Sequence, residues 1–272
     1  MRDSGGSLQY DSVGNHSELD IHDFLDLSEK TLLVTGASSG IGRATAIAAS
    51  RQNARVALVA RDASALDETL QQMEGEDHLV VPCDLSDLDR IGDMVRQVAD
   101  AFGGIDGVAH AAGIHATAPL RVIKSEQVRS MFDLNVGSAV MIAQAFRHKT
   151  VRRPRASLVL MSSAVGVVGQ PGVSIYSATK GAIQTLTKSL ALELARDQIR
   201  VNCVAPGIVT TPMTDSIKTA IGEASFDDVV KAHPLGLGAP EDVAAAILFL
   251  LSGASQWITG TSLAVDGGYT AQ

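Results

Sequence analysis

The chain has 272 residues, 46% of them hydrophobic and 19% charged, and its formal net charge is −8. This length and composition fit one soluble α/β domain with a large core. The negative charge argues against a nucleic-acid-binding surface, and no apolar run is long enough for a transmembrane helix, so no membrane partner is predicted.

Residues 1–28 are rich in Gly, Ser and Asp and have weak periodicity, so we expect a flexible or loosely docked N-terminal arm. From residue 29 to 272, strand patterns alternate with helical patterns. The predicted strands are 31–35, 55–60, 78–82, 107–111, 156–161, 200–205 and 262–265. The predicted helices are 40–52, 63–73, 87–102, a long stretch from 125 to about 146, 176–195 and 240–251.

Continuous Val, Ile, Leu and Ala runs separated by helices indicate a parallel sheet that is covered on both faces. The crossover rules then predict a single doubly wound, Rossmann-type α/β domain with about seven strands. The segment 207–234 is the longest irregular stretch, with Gly, Pro and Thr near its start. Such a segment in a compact domain predicts a lid or binding loop.

The first predicted strand runs directly into a glycine-rich turn that opens a helix. Glycines let the backbone approach a pyrophosphate, and the helix N-terminus supplies N–H groups and a positive dipole. The GxxxGxG spacing between a strand and a helix therefore predicts a dinucleotide site. The predicted binding residues of this turn are Gly36, Ser38, Ser39, Gly40, Ile41 and Gly42.

The end of the second strand bears on the choice of cofactor. An acid there would bind the adenosine ribose hydroxyls and repel a 2′-phosphate. Ala60 is instead followed by Arg61, so we expect NADP(H), with Arg61 at the 2′-phosphate. The alternative is that Arg61 is a solvated loop residue and Asp62 binds the ribose of NAD(H).

Tyr176 and Lys180 are four residues apart, which places them on one face of a helix. A free phenol titrates near 10, and a cation beside it is expected to lower its pKa. A serine hydroxyl such as that of Ser163 can hold a carbonyl or alcohol oxygen at the same point. Together with a hydride donor, these parts describe an oxidoreductase.

These pieces resemble the short-chain dehydrogenase/reductase family over residues 30–270, in particular the ~250-residue branch that includes β-ketoacyl-acyl-carrier-protein reductases. The matching segments are TGASSGIG, Asp84, HAAGI at 110–114, Asn135, Ser163, YSATK at 176–180, APGIVTTP at 205–212 and TGTSLAVDGGY at 259–269.

The resemblance implies a mechanism. Tyr176 exchanges a proton with the substrate oxygen, Lys180 lowers the pKa of Tyr176 and binds the nicotinamide ribose, and Ser163 orients the oxygen. Asn135 would lie in the helix after the fourth strand and hold a water that links Lys180 to solvent. Further implied cofactor contacts are Asp84, Leu85, Ala111, Ala112, Gly113, Pro206, Gly207, Val209 and Thr211. Asp84 has an alternative role as the cap of the helix that begins near Ser86.

The sequence departs from the family pattern after the fourth strand, where His110 replaces the usual Asn. We expect the imidazole to brace neighbouring strands as that Asn does. The segment 233–238, at the end of the predicted lid, also lacks an Arg that the family commonly has in this loop. The pocket is predicted to form from the lid and the 114–124 loop, and to be partly apolar; the residues named for it are Ile114, His115, Pro119, Leu120, Val167 and Val168.

The leading function is an NADP(H)-dependent carbonyl reductase or alcohol dehydrogenase, for which acyl thioesters, sugars and cyclic ketones all remain open as substrates. A non-catalytic nucleotide-sensing or scaffold protein is the second hypothesis, although such proteins usually lose the Tyr or the Lys. A sugar-nucleotide epimerase or dehydratase is the third, but those chains have GxxGxxG and an added C-terminal domain. The resemblance implies a homotetramer or homodimer.

Two cysteines, Cys83 and Cys203, lie in apolar runs typical of buried strands. No cluster of Cys and His has zinc-ligand spacing, so no metal is predicted. The N-terminus lacks a hydrophobic secretory segment, and nothing suggests a disulfide framework. We therefore expect a cytoplasmic protein.

Overall fold

The computed structural model describes residues 25–271. Most of the predicted N-terminal arm, residues 1–24, lies outside the described residues. Leu27 belongs to the predicted arm, yet it is only 1% exposed and packs within the hydrophobic core. The packed core therefore begins before residue 29.

Seven strands of the described chain pair in parallel to form one sheet with the order β3-β2-β1-β4-β5-β6-β7. The strands are β1 Thr31–Thr35, β2 Arg55–Ala60, β3 Leu79–Pro82, β4 Ile105–His110, β5 Arg152–Met161, β6 Arg200–Pro206 and β7 Ser262–Val265. The predicted doubly wound sheet is confirmed, with β5 beginning earlier than the predicted residue 156.

Helices join the strands. The α-helices of the described residues are α1 Gly40–Ser50, α2 Ala63–Leu70, α3 Leu88–Phe102, α4 Ser125–Phe132, α5 Ser138–Phe146, α6 Ser174–Leu194, α7 Pro212–Ile221, α8 Glu223–Lys231 and α9 Pro240–Leu251. No helix in residues 25–271 is long and apolar enough to cross a membrane.

The sheet separates two hydrophobic layers because successive strand residues point to opposite faces. In β1, Leu33 packs in a core with residues of α3, α5 and α6. Its neighbours Leu32 and Val34 pack on the other side, with residues of α1 and α9. Burial on both faces explains why the strands are continuous apolar runs without polar alternation.

The position of β1 between β2 and β4 determines where a ligand can bind. The chain continues from β1 to β2 on one side and from β4 to β5 on the other, so the loops that follow β1 and β4 diverge. A crevice opens at such a point, at the carboxyl ends of the strands. Thr35 of β1 and His110 of β4 are direct neighbours at this edge.

Two predictions about helices need correction. The long helix predicted for 125–146 is interrupted by a π-helical turn, Asp133–Gly137, between α4 and α5. The segment 207–234, predicted to be irregular, contains α7 and α8. Pro212 lies at the start of α7, where proline is well tolerated, and Gly222 separates the two helices with a φ of 79°. Residues typical of turns here mark helix ends.

Candidate active site

A cavity of about 400 Å³ lies at the carboxyl ends of the strands. Every residue predicted to contact the cofactor lines this cavity, and so do Ser163, Tyr176 and Lys180. Asn135 is the one predicted site residue that does not line it. The fold thus brings segments from seven different parts of the chain to one crevice.

The glycine-rich turn after β1 can exist only with glycines at two positions. Gly36 has a φ of +67°, and a Cβ there would lie 2.9 Å from the backbone nitrogen of Ala112. A Cβ on Gly42 would lie 2.2 Å from the carbonyl oxygen of Gly36. The missing side chains leave room for α1 to start directly against the strand, so that its N-terminus faces the cavity.

At the far end of the cavity, the two acids near Arg61 are already engaged. Asp62 accepts a hydrogen bond of 3.1 Å from the Ala65 N–H and caps α2. Asp84 accepts hydrogen bonds from the N–H and the hydroxyl of Ser86, which lower its pKa. Arg61 is exposed and lines the cavity.

The predicted alternative role of Asp84 as a helix cap is wrong. Helix α3 begins at Leu88, and its N-cap residue is Asp87. Asp84 instead closes a local turn with Ser86 before the helix starts. Short polar side chains form such turns by bonding to the backbone two residues ahead.

Tyr176 and Lys180 lie on α6, and Ser163 lies just after β5. The Lys180 Nζ is 5.4 Å from the centre of the Tyr176 ring and donates a hydrogen bond of 2.8 Å to the carbonyl oxygen of Met161. The Ser163 Oγ donates to the carbonyl oxygen of Pro206 at 3.3 Å. Three chemically active groups therefore converge in the cavity, and backbone carbonyls of β5 and β6 hold two of them, Lys180 and Ser163.

The pKa of Tyr176 is raised overall, and not lowered as expected from the nearby Lys180. Burial raises the pKa of Tyr176 to about 12, and a hydrogen bond with the Ser163 side chain only partly opposes this rise. Burial also lowers the pKa of Lys180 to about 8. Desolvation disfavours the charged form of each group. At neutral pH Tyr176 therefore carries its proton, and Lys180 is mainly an ammonium.

Asn135 lies in the π-helical turn and is only 2% exposed. Its Oδ1 accepts from the Ile114 N–H at 2.8 Å, and its Nδ2 donates to the Ile114 carbonyl at 3.0 Å and to Thr179 Oγ1 at 3.1 Å. The side chain thus fixes the loop after β4 against α6. The water-holding role suggested for Asn135 stays a prediction.

His110 braces β1 against α5 through both ring nitrogens. Its Nδ1 lies 2.8 Å from Thr35 Oγ1 and its Nε2 lies 2.9 Å from Ser138 Oγ. The Ser138 hydroxyl donates to the Leu134 carbonyl, so it accepts from Nε2–H, and Thr35 donates to Nδ1 while accepting the Ala112 N–H. This assigns the Nε2–H tautomer. Burial lowers the pKa of His110 to about 3, which keeps the ring neutral.

The His110 chain of hydrogen bonds joins two parts of the site that are distant in sequence. One end is the backbone at Ala112, beside the glycine-rich turn, and the other is Leu134, in the π-helical turn that carries Asn135. The structure confirms the predicted bracing role. The hydrogen bond to Ser138 also connects His110 to α5, a contact that the sequence did not predict.

The other end of the cavity is formed by apolar side chains from the lid and from the loop after β5. These residues are Met213, Ile217 and Ile221 of α7, Val229 of α8, and Val165 and Val173. The spacing of the three α7 residues matches one helix face. This spacing is a sequence signal for the apolar wall, although the Gly, Pro and Thr residues near the start of the segment favour an irregular structure.

Part of the predicted pocket lies elsewhere. Leu120 and Val167 are 75% and 64% exposed, and neither they nor Pro119 and Val168 line the cavity. Ile114 and His115 do line it. The apolar character was therefore predicted correctly, but it is supplied mainly by α7.

His233 ties the lid to the rest of the site and is 4% exposed. Its Nδ1 donates to the Val229 carbonyl at 2.7 Å, so its Nε2 accepts the Ile208 N–H at 3.1 Å. Its ring stacks on Tyr269, with centroids 4.6 Å apart and planes inclined by 13°. The lid thereby rests on the loop after β6 and on the C-terminal segment.

Residues 25–271 contain no group of three or more His, Cys, Asp or Glu side chains arranged to hold a metal ion. The charged residues that line the cavity are Arg61, Asp62, Asp84 and Lys180. Three of these lie at the Arg61 end. Only Lys180 lies near Tyr176.

Comparison with known proteins matches residues 36–270 to the family model described as enoyl-(acyl carrier protein) reductase. The chain is 36% identical over 247 residues to a 3-oxoacyl-acyl-carrier-protein reductase of Thermotoga maritima, covering 89% of this chain and 98% of that protein. It is 34% identical to carbonyl reductase family member 4 of Xenopus tropicalis, covering 89% and 99%.

Solved structures show the same likeness. A short-chain type dehydrogenase/reductase from Mycobacterium marinum superimposes with a TM-score of 0.84 at 32% identity, covering 93% of this chain and 100% of that one. The similar proteins differ in substrate, since they also include a 2,5-dichloro-2,5-cyclohexadiene-1,4-diol dehydrogenase of Sphingobium indicum, which is 36% identical and covers 90% and 99%. The likeness extends over almost the whole described chain.

Proposed function

Because the chain belongs to the short-chain dehydrogenase/reductase family and is an oxidoreductase of that family, we propose that it reduces an uncharged ketone to a secondary alcohol with NADPH. The observation that carries this proposal is the convergence of Ser163, Tyr176 and Lys180 at one end of a cavity whose other end is the glycine-rich turn and Arg61. A non-catalytic sensor or scaffold would not need these three groups together.

The residues of the cavity fit a dinucleotide. A Cβ on Gly36 would lie 2.9 Å from the Ala112 nitrogen, and one on Gly42 would lie 2.2 Å from the Gly36 carbonyl oxygen. Both glycines therefore allow the close packing that brings the N-terminus of α1 to the cavity, where a pyrophosphate has favourable N–H partners. The nicotinamide end would lie near Lys180 and the loop from Pro206 to Thr211. When bound there, the reduced nicotinamide supplies a hydride to the carbonyl carbon of the substrate.

Two observations at the adenosine end support NADP(H) over NAD(H). Asp62, the acid that could bind the ribose hydroxyls, has its Oδ1 engaged in capping α2. Arg61 lines the cavity and has no hydrogen bond or ion pair within residues 25–271. A guanidinium that is free to form a bidentate pair is well suited to a phosphate.

The residues of the chain would handle the proton. Ser163 turns its hydroxyl from the Pro206 carbonyl and donates its hydrogen bond to the substrate oxygen. Tyr176 gives its phenolic proton to the same oxygen as the carbonyl becomes an alkoxide. The product is a neutral alcohol, and a phenolate remains on Tyr176. The Lys180 ammonium stabilises that phenolate.

The protonation state of Tyr176 near neutral pH suits the proposed reduction. With a pKa raised to about 12, Tyr176 carries the proton that it would give to the substrate oxygen. Oxidation of an alcohol would start instead from the phenolate, which becomes more abundant only at higher pH.

Asn135 lies beside the groups that must be reprotonated. A Cβ on Gly113 would sit 3.1 Å from Asn135 Oδ1 and 3.6 Å from the Lys180 Nζ. This proximity supports the proposal that Asn135 helps hold a water through which Lys180 exchanges protons with solvent.

We also propose a homotetramer. Three large apolar side chains are exposed: Val140 on α5, Leu192 on α6 and Trp257 near the C-terminus, at 41%, 82% and 97% exposure. Burying them against other copies would remove apolar surface from water. Light scattering on the purified protein would test this.

Both described cysteines are buried and unpaired, which fits a reducing compartment such as the cytoplasm.

The test of the proposed function is a panel of ketones and acyl thioesters assayed with NADPH and with NADH, followed by the absorbance of the reduced nicotinamide. Tyr176→Phe should lower kcat by roughly 10³-fold, because it removes the proton donor, and NADPH binding measured by calorimetry should persist. Tyr269→Phe is the matched control, since it removes a phenolic oxygen elsewhere in the cavity lining and keeps the ring that stacks on His233. A Tyr176→Phe enzyme with near-normal rates would disprove the mechanism.

A further inference from the structure

His115 is a polar side chain with unused hydrogen-bonding capacity beside the reacting group. Its ring contacts the Tyr176 ring edge-on, with centroids 4.7 Å apart and planes inclined by 72°. It lines the cavity and is partly buried. Neither ring nitrogen has a hydrogen-bond partner within residues 25–271, whereas both nitrogens of His110 and of His233 are engaged.

The surroundings of His115 keep it neutral. Burial is the main cause that lowers its pKa, and the charge of Lys180 adds to the effect. A neutral imidazole has one N–H donor and one acceptor nitrogen. His115 can therefore bind either a carbonyl oxygen or a hydroxyl group of a substrate held at Tyr176.

The rest of this end of the cavity limits what the substrate can be. The lid contributes Met213, Ile217 and Ile221, and no cation except Lys180 lines the cavity near Tyr176. A carboxylate or phosphate on the substrate would lie in this apolar space without a partner, which is costly. A neutral oxygen function close to the reacting carbonyl would instead have His115 within reach.

We propose that His115 is a specificity-determining residue that binds a second, uncharged oxygen of the substrate, one or two carbons from the reacting ketone. The preferred substrates are accordingly 3-oxo esters or thioesters and hydroxyketones, and simple ketones or keto acids are poorer. This inference rests on the proposed function, since it concerns the substrate of the same Tyr176-centred site.

The first test compares ethyl 3-oxobutanoate with 2-heptanone, which has the same chain length but lacks the ester oxygens. His115→Phe keeps a ring against Tyr176 but has no nitrogen. We expect its kcat/KM for the keto ester to fall at least ten times further than its kcat/KM for 2-heptanone, the size of one lost hydrogen bond. His115→Asn, which retains a donor and an acceptor, should recover part of this difference. His148→Phe is the matched control, because His148 is exposed and does not line the cavity.

A second substrate pair, 2-hydroxycyclohexanone and cyclohexanone, distinguishes recognition of a hydroxyl from recognition of an ester carbonyl. The inference is overturned if His115→Phe lowers both members of each pair equally, which would indicate that the ring only packs against Tyr176, or if it changes neither. If the wild-type protein reduces simple ketones but shows no preference for the oxygenated partners, the inference fails while the proposed function stands. If it reduces none of the four, the proposed function fails.

Discussion

The two ends of the cavity differ in the kind of atoms that line them. The end that faces the glycine-rich turn is formed by backbone and small residues at the ends of β1 to β4, such as Gly36, Ala112 and Gly113. The end beneath α7 and α8 is formed by large side chains such as Met213 and Ile217. A surface made of backbone has few ways to vary, whereas a surface made of side chains changes with every substitution. We therefore expect the first end to bind the dinucleotide and the second end to select the substrate.

Among substitutions that compare the two ends of the cavity, the largest expected effect comes from adding one methyl group to the backbone surface. In Gly42→Ala the new Cβ would meet the Gly36 carbonyl oxygen at 2.2 Å, so α1 must move away from the turn. We expect the free energy of unfolding to fall by about 3 kcal/mol and NADPH binding to weaken at least about 100-fold. Calorimetry and thermal denaturation measure both.

Gly169→Ala is the control for this substitution, because a Cβ there has no neighbour within 4 Å. Nearly unchanged cofactor binding in Gly42→Ala would show that the turn is more adaptable than its backbone contacts indicate. The contrast between the two ends of the cavity would then lose its basis.

Substitution of Arg61 tests whether a side chain also contributes to cofactor binding at the end of the cavity that is formed mainly by backbone. Arg61→Ala should lower kcat/KM for NADPH by roughly 10- to 100-fold, since a charge-assisted hydrogen bond to phosphate is lost. The value for NADH should change by less than about threefold. Arg96→Ala, on the exposed face of α3 and away from the cavity, serves as the control. A wild-type preference for NADH would exclude the assigned role of Arg61.

Lys180 stands where the two ends meet, and its titration should be visible in the rate. Its pKa is lowered to about 8, so the ammonium is lost as the pH rises through that value, while Tyr176 remains protonated up to about 12. With the ammonium gone, the phenolate that forms on Tyr176 is no longer stabilised. We expect kcat/KM for reduction to fall above pH 8, by at most about tenfold per pH unit, because one proton is lost.

The Lys180→Met variant separates this titration from other causes. It should be slow at every pH and lack the decline near pH 8. A wild-type rate that stays constant or rises between pH 8 and pH 10 would contradict the role given to the Lys180 charge.

The smallest effect is expected on the lid. Ile217 is 9% exposed and lines the substrate end of the cavity. Ile217→Ala should raise KM for apolar ketones by about 3- to 30-fold, as expected for a few buried methylene groups, and leave the affinity for NADPH within about twofold. Lys218→Ala on the exposed side of the same helix is the control. An equal loss of cofactor affinity would show that the two ends are not independent.

The sequence predicted the sheet and the cofactor end well because both depend on patterns that are local in the chain. Buried parallel strands require continuous apolar runs, and the turn after β1 requires glycine at positions 36 and 42. The sequence did not predict the helices α7 and α8 of the lid, because Gly and Pro occur both in loops and at helix ends. The π-helical turn at Asp133–Gly137 was missed because it differs from an α-helix only in its hydrogen bonds.

Other features depend on contacts between segments far apart in the sequence. The expected lowering of the Tyr176 pKa followed from the nearness of Lys180 along the helix, but burial by the surrounding elements has the larger effect. His115 was expected in the pocket, yet its contact with Tyr176 joins residues that no helical or strand period relates. The chain from Ala112 through His110 to Leu134 similarly spans β1, β4 and α5.

The amino-acid sequence by itself determined the order of the elements, the glycine-rich turn after β1 and the presence of a Tyr, a Lys and a Ser suited to proton transfer. These follow from periodicity, from glycine's freedom at positive φ and from spacing along one helix. Only the tertiary structure decided which nitrogen of His110 carries the proton, which side chains face the substrate and how strongly each acid holds its proton. Those properties depend on desolvation and on neighbours supplied by distant parts of the chain, which become adjacent only when the chain is folded.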